Sequence, residues 1–285
     1  MANVVVITGG GSGMGLEAAK YMPKDKMIVL SGRTISKLEN AVRTITELGF
    51  TAYARACDTS DRASVRALAE YAASLGTVKN VINAAGISPN MAGGEKLLRV
   101  NALGTVYVNQ EFYKVMRAGS VICDISSNSA YALPSMLIKL AKGSYQYAEK
   151  DESKFLAGLL KLSSLAKTNY QKAGFAYALS KNFVCWYARK CAFAYGKRGI
   201  RVVSLSPGLI ATDMGKLEEK EGGALIPFTA EERIGRPEEL GYAIATVADE
   251  RNGYPSGVDV LVDGGSMSGK EFKKRSKSYL SVKNT

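Results

Sequence analysis

Apolar and polar positions alternate along this chain with two different periods. Short runs rich in β-branched residues occur at Val4–Thr8, Met27–Leu30, Thr51–Arg55, Val78–Asn83, Ser120–Ile125, Ile200–Leu205 and Val258–Val262. Each reads as a strand. The intervening segments follow the helical period: in Ser36–Leu48 the residues Leu38, Ala41, Val42 and Ile45 share one face, and Gly49 is the stop signal. Strands separated by helices predict a parallel, doubly wound α/β sheet, because parallel neighbours require crossover connections that lay helices on both faces. One interval breaks the rhythm. About fifty residues lie between Ile125 and the helix around Tyr177, which marks a helical insertion at about 130–173. Within it Phe155, Leu159, Leu162 and Leu165 or Ala166 recur at three to four, predicting one helix from Asp151 to Lys172, with Gly174 closing the run.

Composition narrows the chemistry. The 285 residues are 46% hydrophobic and 22% charged, as in a folded protein with a large core. No apolar run approaches the roughly 18 residues of a membrane span, and the start lacks a basic, cleavable leader. The four cysteines, Cys57, Cys123, Cys185 and Cys191, are scattered among apolar neighbours with no CxxC pair, as core thiols of a reducing compartment are. A cytoplasmic protein is expected. The absence of histidine excludes Ser-His-Asp and Cys-His mechanisms and HExxH zinc sites, so no metal is expected and any acid–base catalyst must be Tyr, Lys, Asp, Glu or Cys. The net charge is +12, of which residues 266–285 hold six basic side chains against one acidic. That segment reads as a basic, solvated C-terminal tail following a domain at 1–265, and neither nucleic acid nor membrane is expected as a partner.

Two motifs carry chemistry. After the first strand, Thr8-Gly9-Gly10-Gly11-Ser12-Gly13-Met14-Gly15 opens a helix, where glycines let backbone N–H groups approach a pyrophosphate at a helix N-terminus. The spacing is TGxxxGxG, not GxGxxG, and a ligand-free glycine turn is its bland alternative. Near the chain's middle, Tyr177-Ala178-Leu179-Ser180-Lys181 sets a phenol and an amine four apart on one helix face. Such pairs usually decorate a surface. Yet with no histidine present, a phenol brought from near 10 towards neutrality by an adjacent ammonium, at about 3–4 kcal/mol, is the one catalytic base that can be constructed.

With these motifs the sequence resembles the short-chain dehydrogenase/reductase family from Val4 to Gly265. The resemblance implies a Rossmann-type fold and an NAD(P)-dependent enzyme interconverting a secondary alcohol and a ketone. It implies that Asp58, followed by Thr59, contacts adenine; that Asn83-Ala84-Ala85-Gly86 is the turn after the fourth strand; and that Pro207-Gly208-Leu209-Ile210-Ala211-Thr212 flanks the nicotinamide, with Thr212 on its carboxamide. It further implies catalytic roles for Tyr177, for Lys181, which also reaches the nicotinamide ribose, for Ser127 on the substrate oxygen and for Asn101 in a helix kink that relays protons. Two spacings depart from the family. Ser127 and Tyr177 are fifty residues apart instead of about thirteen, and the loop between Asn83 and Asn101 is short.

At the end of the second strand, Ser31-Gly32-Arg33-Thr34 has glycine where an acid would hold a ribose 2′-OH, with arginine next to it. A guanidinium suits a 2′-phosphate and Ser31 and Thr34 add hydroxyls, so NADP(H) is favoured and NAD(H) stays open. The long insertion and trimmed loop resemble a subgroup containing 3α-hydroxysteroid dehydrogenase/carbonyl reductase-like enzymes, implying a hydroxysteroid or other bulky hydrophobic alcohol or ketone as substrate. Tyr131, Leu133, Met136, Leu137, Met214 and Leu217 are the expected pocket walls. Family members form homodimers or homotetramers through the helices flanking the fourth and fifth strands and through the last helix and strand. The alternative to an enzyme is a catalytically silent NADP(H)-sensing protein on the same fold, contacting its partner through the basic tail.

Overall fold

In the computed structural model, which describes residues 2–212, 215 and 223–275, every expected strand forms. They are β1 (Asn3–Thr8), β2 (Lys26–Gly32), β3 (Thr51–Ala56), β4 (Thr77–Asn83), β5 (Ser120–Ile125), β6 (Ile200–Pro207) and β7 (Asp259–Val262). All pair in parallel, in the order β3-β2-β1-β4-β5-β6-β7. The order reverses direction between β1 and β4, so the loops leaving those two strands diverge and open a crevice at their carboxyl ends. Helices α1 (Gly13–Lys20), α2 (Ile35–Glu47) and α3 (Arg62–Leu75) supply the first crossovers. A short α4 (Gly94–Leu97) passes through a π-helical turn at Leu98–Leu103 into α5 (Gly104–Val115). A 3₁₀ turn, Asn128–Tyr131, follows β5.

The insertion differs from expectation. It holds α6 (Ser135–Tyr145) and α7 (Glu152–Ser163), while α8 begins at Asn169 and runs to Gly196. The predicted helix to Lys172 is therefore two helices, and Gly174, expected as a stop, lies inside α8. The apolar spacing continues through Leu165, but capping decides the break. Thr168 and Gln171 form a reciprocal capping box, Thr168 Oγ1 accepting from Gln171 N at 3.2 Å and Gln171 Oε1 accepting from Thr168 N at 3.2 Å. α6 and α7 dock on α5 and α8. Tyr145 and Phe155 pack against Phe183 with ring centroids 5.1 and 4.9 Å apart. The Tyr107 hydroxyl donates to Glu152 at 2.8 Å, and that of Tyr187 to Glu149 at 2.7 Å. The chain then forms a 3₁₀ turn at Gly223–Phe228, α9 (Pro237–Val247) and α10 (Ser266–Arg275). Residues 266–275, the first half of the expected basic tail, are helical, and 276–285 lie outside the described residues.

Buried polar groups tie the central strands together. Thr8 Oγ1 donates to Asn83 Oδ1 at 2.8 Å and accepts from Ala85 N at 3.1 Å; Asn83 Nδ2 donates to Asp124 at 2.9 Å, as does Asn109 Nδ2. Asp124 is fully buried. Desolvation pushes its carboxyl up to about 6, against the pull of the two amides and of the Lys181 charge. Its folded value lies above that of the unfolded chain, so ionisation costs stability: nothing below about pH 4, more through pH 6, and the full amount above. Asp124→Asn is expected to flatten the pH dependence of unfolding between pH 4 and 7 and to raise stability at pH 8 by about 1–3 kcal/mol. Urea melts at pH 5 and 8 check this; a variant less stable than wild type at pH 8 would refute it.

Candidate active site

The glycine loop between β1 and α1 can approach its neighbours only because side chains are missing. Gly9 has φ +67°, and a Cβ there would sit 2.8 Å from the Ala84 carbonyl oxygen; a Cβ on Gly15 would sit 2.7 Å from the Gly9 oxygen. The loop therefore packs flat against the turn after β4 and leaves a groove above it. That groove, about 290 Å³, is walled by Gly9, Gly11, Ser12, Gly13, Met14 and Gly15, by Gly32, Arg33 and Thr34, by Asp58 and Thr59, and by Ala84, Ala85 and Gly86. Four sequence segments chosen for one ligand thus line one cleft. Its shape and donors fit a dinucleotide: a glycine cradle at a helix N-terminus and a cationic end at Arg33.

Other residues expected to touch the cofactor lie behind this surface. Thr8 and Asn83 are buried in the network under the cleft, and Ser31 is fully buried beside Cys57, so none of the three is a wall. Cys57, read as core, does reach the cleft, as does Lys37, one turn into α2. A lysine just after Arg33 at a helix start was a legible signal for a second cation. Burial would raise Asp58, but bonds from Ser60 Oγ at 2.7 Å and Ser60 N at 2.9 Å, with the charges of Arg33 and Lys96, hold its carboxyl below the usual range. It stays a fixed anion.

A second cavity, about 310 Å³, joins the first where Met14 and Thr212 line both. Its walls include Ser126, Ser127, Tyr177, Pro207, Gly208 and Ile210. Of the 49 residues between Ser127 and Tyr177, those of α6 and α7 are looped outward, so both side chains still line one space. The neighbouring serines divide their roles. Ser126 Oγ donates to the Lys181 carbonyl at 2.7 Å and is committed to α8, whereas Ser127 Oγ accepts from Ser129 N at 3.2 Å and fronts the cavity. Ser127 Oγ also donates to Asn128 Oδ1 at 3.4 Å, Asn128 Nδ2 donates to Ser266 Oγ at 3.4 Å, and Ser266 Oγ donates to Asp263 at 2.7 Å. The sequence offered no sign of this link to the C-terminal helix.

Lys181 is buried, its Nζ donating to the Ile125 carbonyl at 3.0 Å and lying 5.7 Å from the Tyr177 ring centroid. Asn101 sits within the π-helical turn, where both ends of its amide bond the Ile87 backbone at 2.9 Å. Gly86 lies between them: a Cβ there would be 3.3 Å from Asn101 Oδ1 and 3.5 Å from Lys181 Nζ. The expected pocket walls fare less well. Tyr131 turns away to hydrogen-bond Asp259, Leu133 is core, Met136 is exposed, and Leu137 does not line the cavity, because the chain turns into α6 before reaching it. Met214 and Leu217 lie outside the described residues. Pro89, Tyr170, Gly174, Leu209 and Leu225 take their place. Among the described residues no cluster of metal-binding side chains occurs and no helix is long and apolar enough to cross a membrane.

The family model for short chain dehydrogenases matches residues 3–138, and that for enoyl-(acyl carrier protein) reductases matches 136–267. The chain is 28% identical over 271 residues to the short-chain dehydrogenase/reductase bsc3 of Alternaria brassicicola, covering 93% of this chain and 96% of that protein. It is 26% identical over 270 residues to the 7alpha-hydroxysteroid dehydrogenase of Escherichia coli K12, covering 92% and 93%. A short chain dehydrogenase from Burkholderia cenocepacia, solved in complex with NADP, shares the fold with a TM-score of 0.72 at 21% identity, over 92% of this chain and 97% of that one. With the seven-stranded sheet, the glycine cleft and these matches together, the chain belongs to the short-chain dehydrogenase/reductase family of nicotinamide-dependent oxidoreductases.

Proposed function

We propose that this enzyme interconverts a secondary alcohol and a ketone of bulky, hydrophobic character, with Tyr177, Lys181, Ser127 and Asn101 as its catalytic group. One observation carries the reading: Ser127 and Tyr177, remote in sequence, line a single cavity that opens into the dinucleotide cleft at Met14 and Thr212. When bound, the nicotinamide supplies the hydride acceptor or donor. Thr212, with Pro207, Gly208 and Ile210, would hold the ring, and Lys181 its ribose. The Tyr177 hydroxyl gives a proton to the substrate oxygen or takes one from it, and the Lys181 ammonium favours the phenolate form that this exchange requires. Ser127 hydrogen-bonds the same oxygen and fixes its distance. Asn101, by clamping Ile87, holds the π-helical turn that would seat a water linking Lys181 to bulk solvent for proton exchange.

NADP(H) is the proposed cofactor, supported by Arg33 and Lys37 in one wall of the cleft and by Gly32 where an acid would reject a 2′-phosphate. Apolar walls at Pro89, Leu209, Ile210 and Leu225 favour a hydrophobic substrate, and the similar 7alpha-hydroxysteroid dehydrogenase makes hydroxysteroids the first class to assay. Self-association is proposed through the β7 edge, where Tyr254 and Val258 are exposed, because α6 and α7 already cover part of α5 and α8.

Three outcomes test these readings. Tyr177→Phe should lower kcat/KM for alcohol oxidation by about 10²–10⁴-fold while leaving NADPH binding, read by fluorescence, within a few-fold; an unaltered rate would remove Tyr177 from the mechanism. Arg33→Asp should weaken NADPH by about 10–100-fold and favour NADH, from the loss of a charge-assisted bond of about 1.5–3 kcal/mol. An unchanged ratio of the two affinities would discard the phosphate assignment. Light scattering at micromolar concentration should give a dimer or tetramer, and a monomer would contradict the proposed association.

A further inference from the structure

We infer that Gly174 sets the size of the substrate this site accepts, by leaving the space beside the Tyr177 phenol unfilled. The inference rests on the alcohol–ketone reading above and assigns a specificity position to it. Tyr170, Gly174, Tyr177 and Lys181 follow one another at four, three and four along α8, so they share a stripe on one helix face, and the first three line the substrate cavity.

A glycine inside a helix destabilises it relative to alanine, so its presence asks for a reason. Two ordinary reasons fail. Gly174 does not have a left-handed φ, and a Cβ at that position would meet no heavy atom of the described residues within 4 Å. In Gly94, by contrast, the Cβ would lie 3.2 Å from that of Ala176, and close packing accounts for it. Gly143 and Gly196 have similar room, but both face solvent, whereas Gly174 is half-buried and walls the cavity. The room it leaves is therefore room for a ligand.

Helix side chains lean towards the N-terminus, so the Tyr177 ring reaches over the turn that contains Gly174. A substrate oxygen held by Ser127 and Tyr177 leaves the rest of the molecule to extend across Gly174 towards Tyr170, between Pro89, Leu209 and Leu225. The class that fits is a fused or multi-ring alicyclic secondary alcohol, with an apolar face to lay on the bare helix backbone and on the Tyr170 ring. Any side chain at 174 would stand in that path.

The test compares kcat/KM for a 7α-hydroxysteroid with that for cyclohexanol, with NADP, in wild type, Gly174→Ala, Gly174→Leu and the solvent-facing control Gly143→Leu. The steroid-to-cyclohexanol ratio should fall at least 30-fold in Gly174→Leu and less in Gly174→Ala, and should not move in Gly143→Leu. Gly174→Ala should also melt about 2 °C higher than wild type, since alanine is the better helix former and none of the described residues opposes its methyl. A ratio unchanged in Gly174→Leu, or lowered equally in Gly143→Leu, overturns the inference and leaves the alcohol–ketone reading standing. So does a fall in the melting temperature of Gly174→Ala, which would show a packing role. A wild-type protein that oxidises neither alcohol, or cyclohexanol alone, overturns the bulky-substrate reading and the inference with it.

Discussion

Everything at the site hangs from the buried hydrogen bonds that lock the carboxyl ends of β1, β4 and β5 to one another. Thr8, Asn83 and Asp124 run across three strands, and Ala85 N and Asn109 extend the chain to the β4 turn and α5. In a low-dielectric interior each of these groups is costly unless paired, so the register of the strands is held to the one arrangement that pairs them. That register sets the glycine loop against Ala84, and Lys181 against the Ile125 carbonyl. The cleft and the catalytic cavity meet because the three strand ends are fixed relative to one another.

The insertion shows a different economy of structure. α6 and α7 bury Tyr145 and Phe155 against α8, the helix that carries Tyr177 and Lys181, and so stiffen it from outside. They also move the start of that helix to Asn169, two turns before Tyr177. The cavity thereby gains a wall, Tyr170 and Gly174, from a segment that also lengthens the path between two catalytic residues. Scaffold and specificity arise from the same stretch of chain.

How much was legible can be judged residue by residue. The strands and their order of appearance followed from β-branched runs, and the glycine loop, Arg33, Asp58 and the Tyr177–Lys181 pair were visible as spaced motifs. The boundary of α8 was missed because Leu162 and Leu165 continue the helical period past the real break, while the Thr168–Gln171 capping box was present to be read. The pocket walls were misassigned because Tyr131, Leu133, Met136 and Leu137 follow Ser127 in the chain, and sequence proximity stood in for spatial proximity. Asn128, Ser266 and Asp263 were invisible, since their link spans more than a hundred residues.

The sequence by itself determined the class of fold and the chemistry available, because hydrophobic period, glycine spacing and the lack of histidine are properties of local residues and of composition. Only the tertiary structure decided which of those residues face ligand and which face protein. Thr8, Ser31 and Asn83 turned inward, and Lys37, Tyr170 and Gly174 came to line the site. The reason is physical: side-chain direction depends on how strands register and helices dock, and those are settled by packing and polar pairing between segments far apart along the chain.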